Sequence, residues 1–410
     1  VIEQAERAMA LCHTLAEFTE EPGRITRLFL TPPVRDVHAL LRERMEQMGM
    51  SVNVDAAGNL RGVWTPVGST ARRLLIGSHI DTVPNAGAFD GVLGVALALE
   101  CVELARTLQV PFAVEVLAFS EEEGVRFGVP FLGSRAVAGR FDSALLACRD
   151  SEGATAESAL RAFGLDPAQI PAAAASEEAI GFLEFHIEQG PVLEAENLSV
   201  AVVDGIAGQS RLTFEFAGQA NHAGTTPMAL RRDALTAAAE WIAAVEAHAK
   251  DVRGLVATVG AIAVEPNAGN VVPGLARLSL DVRHADDAVR HTAVSGLTAQ
   301  AKAIAARRSL TVTSAVSLDQ PAVALDAHLS ALLCRAVEDC GMPGKRMYSG
   351  AGHDAMILAA RMPAAMLFLR SPGGISHNPA EAVDVEDVAA ALPAARAFLQ
   401  CLAEDNHLQG

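Results

Sequence analysis

Two apolar runs that each end in polar residues constrain this chain more than anything else in it. Residues 73–79 (RLLIGSH) and 110–120 (VPFAVEVLAFS) read as buried strands, and residues 91–108 between them carry a helical pattern. A strand without a wet face needs cover on both sides, so this alternation predicts an α/β sheet packed between helices. The pattern returns at 364–370, again a buried strand, followed by a helix over 385–402. The middle obeys a different period. In 211–216 (RLTFEF) Leu212, Phe214 and Phe216 share one face, and in 276–282 Ala276, Leu278, Leu280 and Val282 oppose Arg277, Ser279, Asp281 and Arg283. Strands with one wet face belong to an antiparallel sheet backed by helices, and helical patterns lie at 233–250 and 286–307. The expected organisation is a mixed-sheet α/β/α domain, residues 1–208 and 326–410. An α+β domain of antiparallel sheet and helices, residues 209–325, is inserted into it. Residues 171–180 (PAAAASEEAI) read as a loose connection.

Composition narrows the partners. The 410 residues are enough for two or three domains, and the net charge of −17 disfavours a nucleic-acid backbone as partner. Aromatics make up 4%, which predicts an aliphatic core. Cys12, Cys101, Cys148, Cys334, Cys340 and Cys401 form no C-x-x-C pair; they read as free, mostly buried thiols of a reducing, cytoplasmic setting. No apolar run reaches membrane-spanning length, and the opening VIEQAERAMA lacks the basic start and apolar core of a secretory signal.

Four segments carry chemistry. In GSHIDTVPNAGAFDG, His79 ends a strand, Asp81 follows it, and Asp90 lies in a glycine-rich loop. Imidazoles and carboxylates at the carboxyl end of a buried strand suit a metal site, and Asp81 is placed to hold the second ring nitrogen of His79. In FSEEEGVRFG, three consecutive carboxylates end another buried strand, which is costly unless cations offset them. FHIEQGPVL and GGISHNPAE each set a histidine, His186 and His377, among strand-like residues and turn formers. Taken singly, each segment also reads as an acidic turn or a structural histidine.

Together with NHAGTTPM, NVVPG and SGAGHDA, these motifs occur in one order along nearly the whole chain. The sequence thereby resembles the M20-type metallopeptidase superfamily, in its branch of allantoate amidohydrolases, N-carbamoyl-L-amino-acid hydrolases and β-ureidopropionases. The resemblance implies two divalent ions per subunit bridged by Asp90, one held by His79 and His186 and the other by Glu123 and His377. Mn is favoured, with Zn or Co as alternatives. Glu122 matches the family's general base, Asp81 orients His79, and Glu121 is left as a surplus acid, either solvated or placed behind the metal ligands. The resemblance also makes the inserted domain a lid and a homodimerisation domain. His222 would reach across the dimer to the tetrahedral intermediate, and Asn270 and Arg283 would bind the substrate carboxylate. Gln189 and the 350–352 loop with Gly352 are further substrate contacts, and His353 and Asp354 order that loop. His13, His38, His248, His284, His291, His328 and His407 read as surface or packing residues.

Within the branch, EVLAFSEEEGVRF, FLGSRAVAG, GIAGQSRL and FLRSPGGISHNPAE resemble allantoate enzymes. Hydrolysis of a carbamoyl amino acid, of ureidopropionate or of a dipeptide remains open, as does a non-catalytic dimeric binding protein on the same scaffold.

Overall fold

In the computed structural model, which describes residues 1–68 and 72–405, the apolar runs form the parallel centre of a mixed sheet. Strand Arg73–His79 pairs in parallel with Ala113–Phe119 on one side and Ala179–Ile187 on the other, and Ala364–Leu369 runs parallel to Ala179–Ile187. Antiparallel neighbours close both flanks. Leu60–Trp64 lies beside Ala113–Phe119, and Val200–Ile206 lies beside Ala364–Leu369. Register aligns the carboxyl ends of the parallel strands, with His79 opposite Phe119 and Phe368 opposite His186.

Alternation along Ala179–Ile187 separates the two faces. Leu183, Phe185 and Ile187 join the apolar cluster built with helix Val92–Leu108. Glu184 and His186 point the other way, where Glu184 accepts from the Ala355 amide and His186 packs on His353. The strand expected over 110–120 starts only at Ala113. Gln109 adopts a left-handed φ of 55°, the Val110 amide returns to the Ala105 carbonyl, and Pro111 has no N–H to give a ladder.

Other expectations shift in detail. The connection at 171–180 is not loose: a 3-10 turn, Pro167–Ala173, is capped by Asp166, and the Ala175 amide donates to Val137. The core is not purely aliphatic, because Phe119, Phe182, Phe185, Phe368 and Phe398 are fully buried. All six cysteines are free, yet only Cys12 and Cys101 are buried, the other four lying half-buried near the surface. His407 lies outside the described residues. Among the described residues no helix is long and apolar enough to cross a membrane.

The chain divides into two compact units, the second spanning Gly205–Val323. That unit is built on an antiparallel sheet in which Leu275–His284 pairs with Gly208–Ala217, and Gly208–Ala217 with the edge strand Thr311–Gln320. Leu212, Phe214, Phe216, Ala276, Leu278, Leu280 and Val282 bury one face against helices Ala234–Asp251 and Asp287–Arg307. Trp241 fills the interface, its indole N–H donating to the Leu297 carbonyl at 2.9 Å.

One buried imidazole makes the first unit sensitive to acid. His38, on helix Pro32–Gln47, lies edge-on to Phe163, and its Nε2 finds no hydrogen-bond partner among the described residues. Burial, with Arg42 and Arg35 nearby, pushes its pKa down to about 4. The unfolded chain protonates this group near pH 6.5, so it binds the extra proton first and stability falls as pH drops from about 6.5 to 4. The full loss is roughly 3 kcal/mol. Denaturant titrations at pH 7 and 4.5 should show a smaller difference for His38→Leu than for the wild type. Equal differences would mean that His38 titrates normally in the folded protein.

Candidate functional site

The helix Val92–Leu108 begins at Gly91, and that start fixes the centre of the site. Gly91 has φ 67°, and a Cβ there would lie 2.4 Å from His79 Nε2. Glycine is therefore needed twice, for the backbone and for the ring against it. Asp90 is thereby aimed at the strand ends. His186 Nε2 lies 3.2 Å from its Oδ1, His79 Nε2 lies 3.8 Å from the same oxygen, and His377 Nε2 lies 3.2 Å from Oδ2. Glu123 closes the far side, 3.4 Å from His377 Nε2. His79, Asp90 and His186 form one group able to hold a cation, and Asp90, Glu123 and His377 form another.

The donor set fits metal ions for two reasons. The Nδ1 atoms of His79 and His186 sit on backbone carbonyls, Asp81 O at 3.0 Å and Ile187 O at 2.9 Å, which turns both Nε2 atoms toward Asp90. The charge also demands cations. Burial opposes protonation of His79, but Asp81, Glu122 and Asp90 overrule it and raise its pKa well above normal. Asp90 and Glu123 raise His377 to about 10. A site that draws protons onto its histidines this strongly is one where a metal ion competes for the same positions. The two groups differ in access: His79 and His186 are 2% exposed, whereas the His377 side chain is 49% exposed.

Asp81 does more than orient His79. Its carboxylate accepts from the amides of Glu122 at 3.0 Å and Glu123 at 3.2 Å, so one residue fixes both a ligand and the glutamate turn. Glu122 is buried, and burial with Glu123 and Asp354 lifts its carboxyl well above the usual range while His79 opposes them. A carboxyl raised in this way is a stronger proton acceptor than an ordinary one, as a general base requires. Of the two places expected for Glu121, solvent or behind the ligands, it does not take the solvated one: it is 1% exposed and accepts from the Gly124 amide at 2.6 Å. It follows a strand buried on both faces, and the Gly133 amide on its carbonyl with the Gly124 amide on its carboxylate keep it inside.

Gln189, at φ 58°, places its amide 3.2 Å from both Asp90 oxygens and from Ser376 Oγ. Gly352 is exposed, while His353 and Asp354 are buried beneath it. His222, Asn270 and Arg283 belong to the second unit. His222 pairs with Val271, and the Ala223 amide donates to the Asn270 carbonyl, so these two residues are neighbours. His222 Nδ1 accepts from the amides of Gly224 and Thr225, both at 3.1 Å, which leaves the proton on Nε2. Arg283 is gripped by Asp281 through Nε at 2.9 Å and Nη2 at 3.1 Å.

Sequence reasoning missed Glu381, although GISHNPAE contains it. Its Oε1 accepts from the amides of Phe89 at 2.9 Å and Asp90 at 3.0 Å, and its Oε2 takes the Ser376 hydroxyl at 3.1 Å. The signal was a lone glutamate four residues after His377, indistinguishable from a surface acid.

A profile described as Peptidase family M20/M25/M40 matches residues 75–404. An N-carbamoyl-L-amino acid amidohydrolase of Geobacillus stearothermophilus is 39% identical over 94% of this chain and 95% of its own length. Allantoate deiminase of Arabidopsis thaliana is 37% identical over 96% of this chain and 82% of its own. The crystal structure of an amidase of the hydantoinase/carbamoylase family from Burkholderia multivorans superposes with a TM-score of 0.90, at 32% identity and 97% coverage of both chains.

Glu381 gives a test of the site that needs no substrate. Glu381→Ala frees the Asp90 loop, and loss of such an outer support typically costs 10–100-fold in metal affinity. Competition with a chelator should find Mn held about that much more weakly, with circular dichroism unchanged. Unaltered affinity would show that the loop is held by its glycines alone.

Proposed function

Because the chain belongs to Peptidase family M20/M25/M40, we propose that it is a metal-dependent amidohydrolase cleaving a ureido or carbamoyl C–N bond of a small carboxylate substrate. The substrate we assign is allantoate, hydrolysed with one water to ureidoglycine, ammonia and carbon dioxide. The observation that carries the metal-dependent hydrolase reading is the convergence of three imidazole Nε2 atoms and the carboxylate of Glu123 on Asp90, with Glu122 beside them; allantoate rests on the resemblance of sequence segments to allantoate enzymes.

His79 and His186 would hold one ion and Glu123 and His377 the other, with Asp90 between them; Mn suits this mix of nitrogen and oxygen donors, with Zn or Co as alternatives. When bound, such a pair supplies Lewis acidity toward the carbonyl and makes water acidic enough to attack near neutral pH. Glu122 takes the proton of the attacking water and returns it to the departing nitrogen. His222 offers an Nε2–H, the form needed to donate to an oxyanion. Arg283, its fork oriented by Asp281, and Asn270 take the substrate carboxylate. The thiols, all free, suit a cytoplasmic enzyme.

A second reading has a specific ground: the 39% identical relative is named for N-carbamoyl-L-amino acids rather than allantoate. Ammonia release from Mn-loaded protein on allantoate, N-carbamoyl amino acids, ureidopropionate and dipeptides separates the two. We expect allantoate to give the highest kcat/KM; a carbamoyl amino acid ahead of it would reassign the substrate, and activity on dipeptides alone would remove the ureido reading. Glu122→Gln should keep its metal and lose about 10²–10⁴-fold in kcat. Glu123→Gln should instead lose metal. Glu121→Gln should change little, because burial already holds that acid toward its neutral form, which an amide imitates.

We assign the second unit the roles of lid and homodimer contact. Its edge strand Thr311–Gln320 carries no charge before Asp319 and exposes Val316, an unprotected edge able to pair with a second copy across a two-fold axis. In that dimer His222 serves the partner's site. His222→Ala and Glu122→Gln proteins should each be nearly inactive, but once their subunits exchange, about a quarter of wild-type activity should return, since random mixing makes about half the dimers mixed, each with one intact site. If exchange is demonstrated and no activity returns, His222 acts within its own chain or not at all.

A further inference from the structure

Phe131 has a backbone conformation that a residue with a side chain rarely adopts, φ 69° and ψ 27°, at the residue before helix Leu132–Val137. Two contacts hold it there. Its amide donates to the Glu122 carbonyl at 3.1 Å, and two residues on, the Gly133 amide donates to the Glu121 carbonyl at 3.3 Å. The same stretch folds tightly over the glutamate turn: a Cβ at Gly124 would lie 2.8 Å from the Pro130 nitrogen. On its other side, the buried Phe131 ring reaches the 350–352 loop, where a Cβ on Gly352 would lie 2.8 Å from the ring's ζ carbon.

The loop is anchored at its root but open at Gly352. Ser349 Oγ bonds both the amide and the carbonyl of Ala351, at 3.0 and 2.9 Å, and lies 2.8 Å from His353 Nε2. The His353 ring in turn packs on the ligand His186 with centroids 4.4 Å apart. A displacement of the loop at Gly352 therefore has the Phe131 ring directly in its path, and the Phe131 amide carries that displacement to the backbone of the base. A backbone held out of its preferred region at a functional site persists because its surroundings over-determine it. Here those surroundings are the base on one side and the loop on the other.

We propose that Phe131, wedged between the backbone of Glu122 and Gly352, is a positioning residue that makes the placement of the base depend on the placement of the 350–352 loop. Substrate seated against Gly352 would thus set Glu122 for proton transfer. This rests on the amidohydrolase reading and adds to it a residue that touches neither metal nor substrate.

The test is a double-mutant cycle on the Mn-loaded enzyme with the best substrate of the panel. Gly352→Ala drives its methyl into the ring and should lower kcat at least tenfold. Phe131→Leu removes the ε and ζ carbons; combined with Gly352→Ala it should raise kcat well above the Gly352→Ala value, rather than multiplying the two losses. Metal affinity should stay at the wild-type level throughout. Phe131→Gly, which relieves the backbone and deletes the ring, should lower kcat more than it changes KM, and its melting temperature should fall because the lost burial outweighs the relieved backbone. It also serves as the partner substitution if Phe131→Leu folds poorly. Melting temperatures of the metal-free proteins give a second cycle independent of turnover, in which the substitutions should also be non-additive. Multiplicative losses in kcat, with or without coupling in stability, would overturn the proposal while leaving the functional reading intact. A wild-type enzyme inert on every ureido substrate would overturn both.

Discussion

Negative charge gathered at the carboxyl ends of parallel strands is the constraint on which the rest of this structure depends. Asp81, Asp90, Glu121, Glu122, Glu184 and Asp354 are all buried in one unit, and Glu123 joins Asp90 at His377. Such a cluster is tolerable only if protons, metal ions or backbone amides compensate it. The structure distributes those compensations. Asp81 takes two amides of the glutamate turn, Glu381 takes two amides of the Asp90 loop, and Glu184 takes the Ser78 hydroxyl and the Ala355 amide. The imidazoles, with Nδ1 occupied, face the remaining charge.

Arg27 shows how far this compensation extends. It is 1% exposed, and its guanidinium donates to the carbonyls of Ile80 at 2.6 Å and Leu15 at 2.8 Å. Its own amide donates to the Thr82 hydroxyl, and the Thr82 amide returns to its carbonyl. The residues flanking Asp81 are thus pinned from outside the sheet. Burial lowers the pKa of Arg27 to about 10 while Asp81 opposes the shift, so it stays charged at neutral pH. A buried cation is tolerated there because three backbone carbonyls, of Ile80, Leu15 and Phe18, accept from it and the charge of Asp81 favours it.

The second unit solves a different problem. Its sheet buries one face and leaves the other polar, where Asp281 gathers Arg283, Arg211 and Gln209. Although burial favours its protonation, those donors hold the Asp281 carboxyl below the usual range. An arginine oriented by a partner on its own strand keeps its fork in one plane, which is how a planar carboxylate is recognised. His222 is likewise prepared locally, by a turn that returns two amides to its ring.

Much of this was legible without coordinates. Period determined the buried strands and the one-faced sheet, since an apolar run and an alternating run cannot exchange places without exposing a core. The motifs around His79, Glu122, His186 and His377 pointed to the chemistry only together, in their order and through their resemblance to a known family, because each alone also reads as an acidic turn or a structural histidine. What the sequence could not decide is which acids are buried and what holds them. Glu121 stayed open between solvent and a place behind the ligands because three acids in a row usually face water, and Glu381 was invisible because its partners are two amides nearly three hundred residues away. Phe131, within FLGSRAVAG, drew notice only as part of a segment resembling allantoate enzymes until its backbone and Gly352 were seen to meet. Spacing along a chain specifies which side chains a strand end presents. Only tertiary packing determines their exposure and amide partners, and those decide whether a carboxylate is a ligand, a base or a support.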